Sequence, residues 1–167
     1  MCGYNSFMIV ISDTSVVSNL ASIDRLDILP RLYGTVIIPT AVKKELQLYD
    51  AKTNAASSTG WLRTESINAI DLYDELSARL DSGEAEAIVL AKELGADALL
   101  IDERKGRKIA VEQGLPVIGL LGVLIAAKNK GIVEGVKPLV DRMMNGNGFR
   151  VSPKLYRHVL VVAGEEK

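Results

Sequence analysis

Short runs of consecutive apolar residues alternate along this chain with longer stretches of helical periodicity. Met8-Ile9-Val10-Ile11 runs directly into Ser12-Asp13-Thr14-Ser15. Four apolar residues bounded by polar ones predict a strand covered on both faces. Thr35-Val36-Ile37-Ile38 repeats the pattern with β-branched residues. Asp97–Asp102 (DALLID) and the very short Pro116–Gly119 (PVIG) supply a third and a fourth run.

The segments between read as helices. A short one is expected from Ser15 to Ala21. A second is expected to be capped by Ser22, with Ile23, Leu26 and Leu29 on one face, limited by Pro30 and ended at Gly34. Pro39 suits the first turn of the next helix, expected from Thr40 to about Leu48. Asn68–Leu80 is amphipathic, and Gly83–Leu94 is almost wholly apolar and stopped by Gly95. Glu103–Gln113 is basic, Leu120–Lys130 is apolar nearly all round, and further helices are expected near 136–144 and from Ser152-Pro153 to Ala163. Ala51–Gly60 (AKTNAASSTG) reads as a loop or weak helix end, after which Trp61-Leu62 resumes apolar character. Buried strands alternating with helices predict an α/β fold: three layers, α/β/α, around a parallel sheet of four to five strands.

Composition narrows the class. The chain has 167 residues, 48% of them hydrophobic and 25% charged, as in a globular chain with a true core. Residues 8–167 are expected to form one domain, behind a disordered leader at 1–7. The net charge of −1 gives no global attraction to nucleic acid or membrane, so any nucleic-acid contact needs a local basic patch. The single cysteine, Cys2, excludes an internal disulfide, and the single histidine, His158, excludes a Cys/His zinc cluster. The chain shows no apolar membrane-length run and no secretory signal pattern, so the expected location is the cytoplasm.

The candidate chemistry is acidic. Asp13 and Asp102 both fall at the carboxyl ends of predicted strands, and in a parallel sheet those ends share the edge where ligands bind. Glu45 lies two turns into the helix after the second strand, and Glu84 opens an otherwise apolar helix. Each acid has a plainer account: the aspartates cap helices, Glu45 joins a solvated face beside Lys43 and Lys44, and Glu84 favours its helix dipole. Four carboxylates around one point would raise each other's pKa, a conflict that a divalent cation removes. Oxygen donors without His or Cys suit Mg²⁺ or Mn²⁺. Glu86 competes with Glu84 for the same place from a different helix face.

Taken in order, Asp13-Thr14-Ser15 after an apolar strand, Ile38–Leu46 (IPTAVKKEL), Leu80–Ile88 (LDSGEAEAI), Leu99–Glu103 (LLIDE) and Gly114–Gly119 (GLPVIG) resemble the PIN-domain family. The resemblance runs from about Met8 to about Gly164. It is nearest to small prokaryotic PIN proteins, VapC-like toxins among their relatives, with a Gly-Glu pair at the third acidic position and an extra C-terminal helix. It implies a metal-dependent ribonuclease binding Mg²⁺ or Mn²⁺, with RNA as substrate, a homodimer, and a cognate antitoxin for toxin members. Asp13, Glu45, Glu84 and Asp102 match the family's catalytic, metal-holding acids, and Ser15 matches the polar residue that supports the first. Thr14 and Glu86 are further supporting candidates. The third acid is Glu where the wider superfamily mostly has Asp, which leaves Glu84 and Glu86 both open as the ligand.

Arg104, Lys105, Arg107 and Lys108 follow Asp102 at once and are candidates for phosphate contacts; as a lone charge run they also suit a solvated helix face. Arg150, Lys154 and Arg157 form a weaker basic group. Aromatic residues are 5% and not interleaved with these charges, so no base-stacking platform is read. The alternative function is a PIN-like nucleic-acid- or protein-binding module with little catalysis. A phosphotransfer enzyme with Asp13 as nucleophile fits less well, because Ser15 stands where such enzymes carry a second Asp.

Overall fold

A computed structural model describes residues 8–49, 56 and 59–167 of the chain. Five strands form one all-parallel sheet: β1 (Val10–Ser12), β2 (Val36–Pro39), β3 (Leu62–Glu65), β4 (Ala98–Leu100) and β5 (Val117–Ile118), in the order β3-β2-β1-β4-β5. Among the described residues the helices are α1 (Thr14–Ser22), α2 (Ile28–Tyr33), α3 (Thr40–Tyr49), α4 (Ile70–Ser77), α5 (Ser82–Leu94), α6 (Arg104–Glu112), α7 (Leu120–Asn129), α8 (Lys137–Asn147) and α9 (Pro153–Val162). They flank the sheet on both faces, the expected three-layer α/β/α arrangement.

The alternation of strand side chains divides the core. Val10, Ile38 and Leu100 point into a cluster with α1, α2, α7, α8 and α9. Ile11, Leu99 and Ile101 point the other way, into a cluster with α4, α5 and α6. Consecutive residues are therefore buried on opposite faces, which is why the strands read as unbroken apolar runs. Register across the centre is Val10 to Ala98, Ile11 to Leu99 and Ser12 to Leu100. Because every strand is parallel, the carboxyl ends of β1, β2 and β4 share one edge, and α1, α3 and α6 start there.

Several boundaries differ from expectation. β1 begins at Val10 and not at Met8. Ser22 ends α1 and opens no helix: Ile23 closes α1, Asp24 turns the chain with φ of +57°, and α2 starts only at Ile28. Ile23 and Leu29 are nonetheless buried in the same cluster. Pro30 lies inside α2, in the first turn, where its missing N–H has no intrahelical partner to lose. Pro39 ends β2, opposite Glu65, while α3 starts at Thr40 as expected. β3 was not expected, because in Leu62-Arg63-Thr64-Glu65 only Leu62 is apolar; as an edge strand it needs little more. The expected leader at 1–7 and most of the expected loop at 51–60 lie outside the described residues. Among the described residues no helix is long and apolar enough to cross a membrane.

Leu100 is wholly buried at the centre of the sheet. Leu100→Ala is expected to lower unfolding free energy by about 2–5 kcal/mol in urea titrations, against a change within about 0.5 kcal/mol for Leu48→Ala on an exposed turn of α3.

Candidate functional site

At the carboxyl edge of the sheet the chain leaves β1 and enters α1 through Asp13. The Asp13 N–H donates to the Leu100 carbonyl at 2.9 Å, which ties this turn to β4. The Asp13 side chain is the N-cap of α1: Oδ1 accepts the Val16 N–H at 3.2 Å, and the Ser15 hydroxyl donates to Oδ2 at 3.0 Å. The plain reading of Asp13 as a cap is thus correct, and it is compatible with a second role. The same carboxylate lines a cavity of about 200 Å³ with Thr14, Ser15, Ser18, Glu45, Asp81, Glu84 and Glu103.

Three of the four expected acids, Asp13, Glu45 and Glu84, share this cavity. Glu45 reaches it from α3 and accepts a hydrogen bond from the Thr14 hydroxyl. Glu84 is buried at the first turn of α5, where Asp81 caps the helix by accepting the Glu84 N–H at 2.9 Å. Asp102 stands beside the cavity. Its Oδ1 accepts the Leu120 N–H at 3.1 Å at the start of α7, and its side chain lines a neighbouring groove of about 620 Å³. Glu86 faces elsewhere: its carboxylate accepts the Ala41 N–H at 2.8 Å at the start of α3.

Glycines make room for these acids. A Cβ on Gly83 would stand 2.7 Å from Glu45 Oε1, and one on Gly106 would stand 3.3 Å from Glu84 Cδ and 2.8 Å from Ile101 Cδ1. One on Gly119 would meet Asp102 Oδ1 at 3.3 Å and Arg107 Nη1 at 3.0 Å. All three glycines lie at or near the start of a helix, α5, α6 and α7, so each acid packs against a bare helix turn.

The electrostatics follow from this crowding. Burial pushes the Asp13 carboxyl up to about 7, although the Val16 N–H, the Ser15 hydroxyl and the Asp102 backbone N–H all favour its charged form. Burial also pushes Glu84 up to about 7, reinforced by the negative charges of Asp81, Glu103 and Asp13 and by a hydrogen bond with Glu103. Helix N-termini favour anions by about 0.3–1 kcal/mol, less than desolvation costs here.

Asp81, Glu103 and Ser18 were not anticipated. Asp81 stands three residues before Glu84, the spacing of a capping box, and Ser18 lies one turn beyond Thr14 and Ser15. Those spacings were legible; the side chains' convergence across helices was not. The basic run divides by helix face. Arg104 and Arg107 line the groove beside Asp102, while Lys105 and Lys108 are exposed outside it. Of the weaker group, Arg150 joins that groove and Lys154 and Arg157 do not.

The raised carboxyls carry a stability consequence. Each keeps its proton to higher pH in the folded chain than in the unfolded one, so stability falls as pH rises from about 4 to about 7 and then levels off. In EDTA, Asp13→Asn is expected to be more stable than the wild type at pH 8 by about 1–3 kcal/mol, with the difference vanishing below the unfolded pKa near 3.8. Thermal or urea unfolding at both pH values checks this, and a variant less stable at pH 8 contradicts it.

No curated protein matches the chain. The family model described as a PIN domain matches residues 9–165, from the strand that carries Asp13 to the end of the C-terminal helices. The chain therefore belongs to the PIN-domain family.

Proposed function

We propose that this protein is a divalent-metal-dependent endoribonuclease that hydrolyses RNA phosphodiester bonds, acting as the toxin of a toxin–antitoxin pair. PIN domains are in general nucleases, which places the chain with the hydrolases at a coarse level. The observation that carries the finer reading is the convergence of Asp13, Glu45 and Glu84 on one cavity at the carboxyl edge of the sheet. Acids converging in this way, Asp13 and Glu84 of them buried, with no lysine or arginine among the described residues lining the cavity, have a reason to do so where a cation completes the site.

The donor set fits a hard divalent ion, Mg²⁺ or Mn²⁺, because every candidate ligand is a carboxylate or hydroxyl oxygen. As the side chains stand, no three acids among the described residues are gathered at coordination spacing, so holding an ion would require the carboxylates to come together. Asp13, Glu45 and Glu84 would hold the ion, with Asp102 at its rim and Glu103 in reserve beside Glu84. When bound, the ion supplies charge neutralisation and Lewis-acid polarisation of a phosphoryl oxygen. Asp13 is the fixed corner, since its backbone and side-chain hydrogen bonds leave it little freedom. Thr14 orients Glu45. Glu84, lining the same cavity as Asp13 and Glu45, is placed to accept a proton from the attacking water at an Oε atom. A cognate antitoxin, a homodimer and a cytoplasmic location belong to the same proposal.

Two measurements test it. Asp13→Asn is expected to cut Mn²⁺-dependent cleavage of single-stranded RNA by at least about a hundredfold while its fold persists, as loss of a metal-holding group predicts. Wild-type cleavage by that variant, or cleavage of equal rate in EDTA, sinks the assignment. Glu84→Gln is expected to lose cleavage as well, whereas Glu86→Gln, which keeps an oxygen for the Ala41 N–H, stays within about threefold of the wild type. A binding module would show no metal-dependent turnover in any of these assays.

A further inference from the structure

The larger groove is not used by the acidic cavity, yet the two share a wall. Asp102 lines the groove, and the next residue, Glu103, lines the cavity. Arg104 and Arg107 come to the groove from α6, and Arg150 comes from the segment between α8 and α9, more than forty residues away. Among the described residues none of these three guanidiniums has an ion pair or side-chain hydrogen bond. Between them lies an apolar floor that includes Ile118, Leu121, Ile125 and Phe149, all partly exposed. The floor stays open because Gly119 and Gly122 carry no side chain: a Cβ on Gly122 would already meet Ile118 at 3.1 Å.

We propose that this groove is a nucleotide subsite, holding a phosphate of the RNA strand on Arg104, Arg107 and Arg150 and the adjoining base against Phe149 and the aliphatic floor. The proposal rests on the ribonuclease reading, since it routes the strand from the groove past Asp102 to the acidic cavity. Unpaired guanidiniums are planar forks suited to phosphate oxygens, and their clustering exceeds what one carboxylate side chain balances. The volume of about 620 Å³ accommodates a nucleotide with its flanking phosphate. A base has a flat apolar face for Phe149 and Ile118, so phosphate and base together match a basic rim over an apolar floor. The helix α7 supplies both sides of this design. Leu120, Val123, Leu124 and Ala127 are buried in the core, and Leu121 and Ile125 form the floor.

Binding is separated from cleavage by measuring fluorescence anisotropy of a labelled single-stranded RNA hexamer with the full chain in EDTA. Arg150→Glu and Phe149→Ala are expected to weaken binding by about tenfold or more, and Lys105→Glu, with the same charge change outside the groove, by less than about threefold. With Mn²⁺, Arg150→Glu should raise KM and leave kcat within about threefold. Circular dichroism and thermal unfolding confirm that each variant is folded. The proposal is overturned if the wild type binds no RNA, if Arg150→Glu and Lys105→Glu weaken binding equally, or if Phe149→Ala binds like the wild type. It is also overturned if a labelled Asp/Leu peptide, and not RNA, binds in an Arg150-dependent way. Failure of the ribonuclease reading looks different: RNA binding keeps this dependence on Arg150 and Phe149, and no variant or wild type cleaves with metal.

Discussion

The constraint on which the acidic edge depends is the burial of carboxylates that have no cationic partner among the described residues. Asp13 and Glu84 are both buried, and among the described residues no lysine or arginine lines their cavity. Desolvation raises both carboxyls to near neutrality even though helix N-termini and backbone N–H groups surround them. A sheet edge that only had to be stable would place apolar or paired residues there. The fold instead accepts a pH-dependent loss of stability at its most central strand, and it spends three glycines on making space for acids.

That arrangement also explains why helix starts matter so much here. α1, α5 and α6 all begin at the acidic cavity, and α7 begins at Asp102 beside it. Asp13 and Asp81 are caps in the ordinary sense, each accepting an N–H from the third residue on. Capping fixes the orientation of a carboxylate at low entropic cost, so a group that would otherwise be a mobile side chain becomes a rigid oxygen donor. Capping and ligation are therefore not competing accounts of Asp13. The cap is what holds the proposed ligand in place.

Much of the fold was legible because its central strands are buried on both faces and so appear as uninterrupted apolar runs. β1, β2 and β4 carry that mark; the edge strand β5 is half-buried and shows only as the short apolar pair Val117-Ile118, and β3, at the other edge with one covered face, can be Leu-Arg-Thr-Glu. Helix limits failed where proline or a left-handed residue acted against its usual position, as at Pro30 and Asp24. In the site, Asp13 and Glu84 could be picked out, since one stands at a strand end and the other is a charge in an apolar helix. The placement of Glu86 was open from spacing alone, and only its bond to the Ala41 N–H, across to another helix, separates it from Glu84. Asp81, Glu103 and Ser18 were missed for one reason: each enters its cavity through tertiary packing that no local period encodes, and the same packing separates Arg150 from the rest of its weaker basic group.

The two cavities differ in sign, and the difference lies on either side of a single peptide bond. Asp102 turns toward the arginines of α6 and the C-terminal segment, and Glu103 turns toward Glu84. An RNA strand brings both requirements together, because its phosphates need positive charge for binding and a cation for reaction. Placing fixed guanidiniums directly over the acids would neutralise the cluster and remove its affinity for metal. Placing them one wall away would keep the acidic cavity free for a cation while the basic groove anchored the strand of the proposed substrate. On this reading the C-terminal helices are more than cover for the sheet, since the segment that joins α8 to α9 delivers Phe149 and Arg150 to the groove. On the proposed function, the separation of charge follows from the demand that one site attract a polyanion and a cation at once.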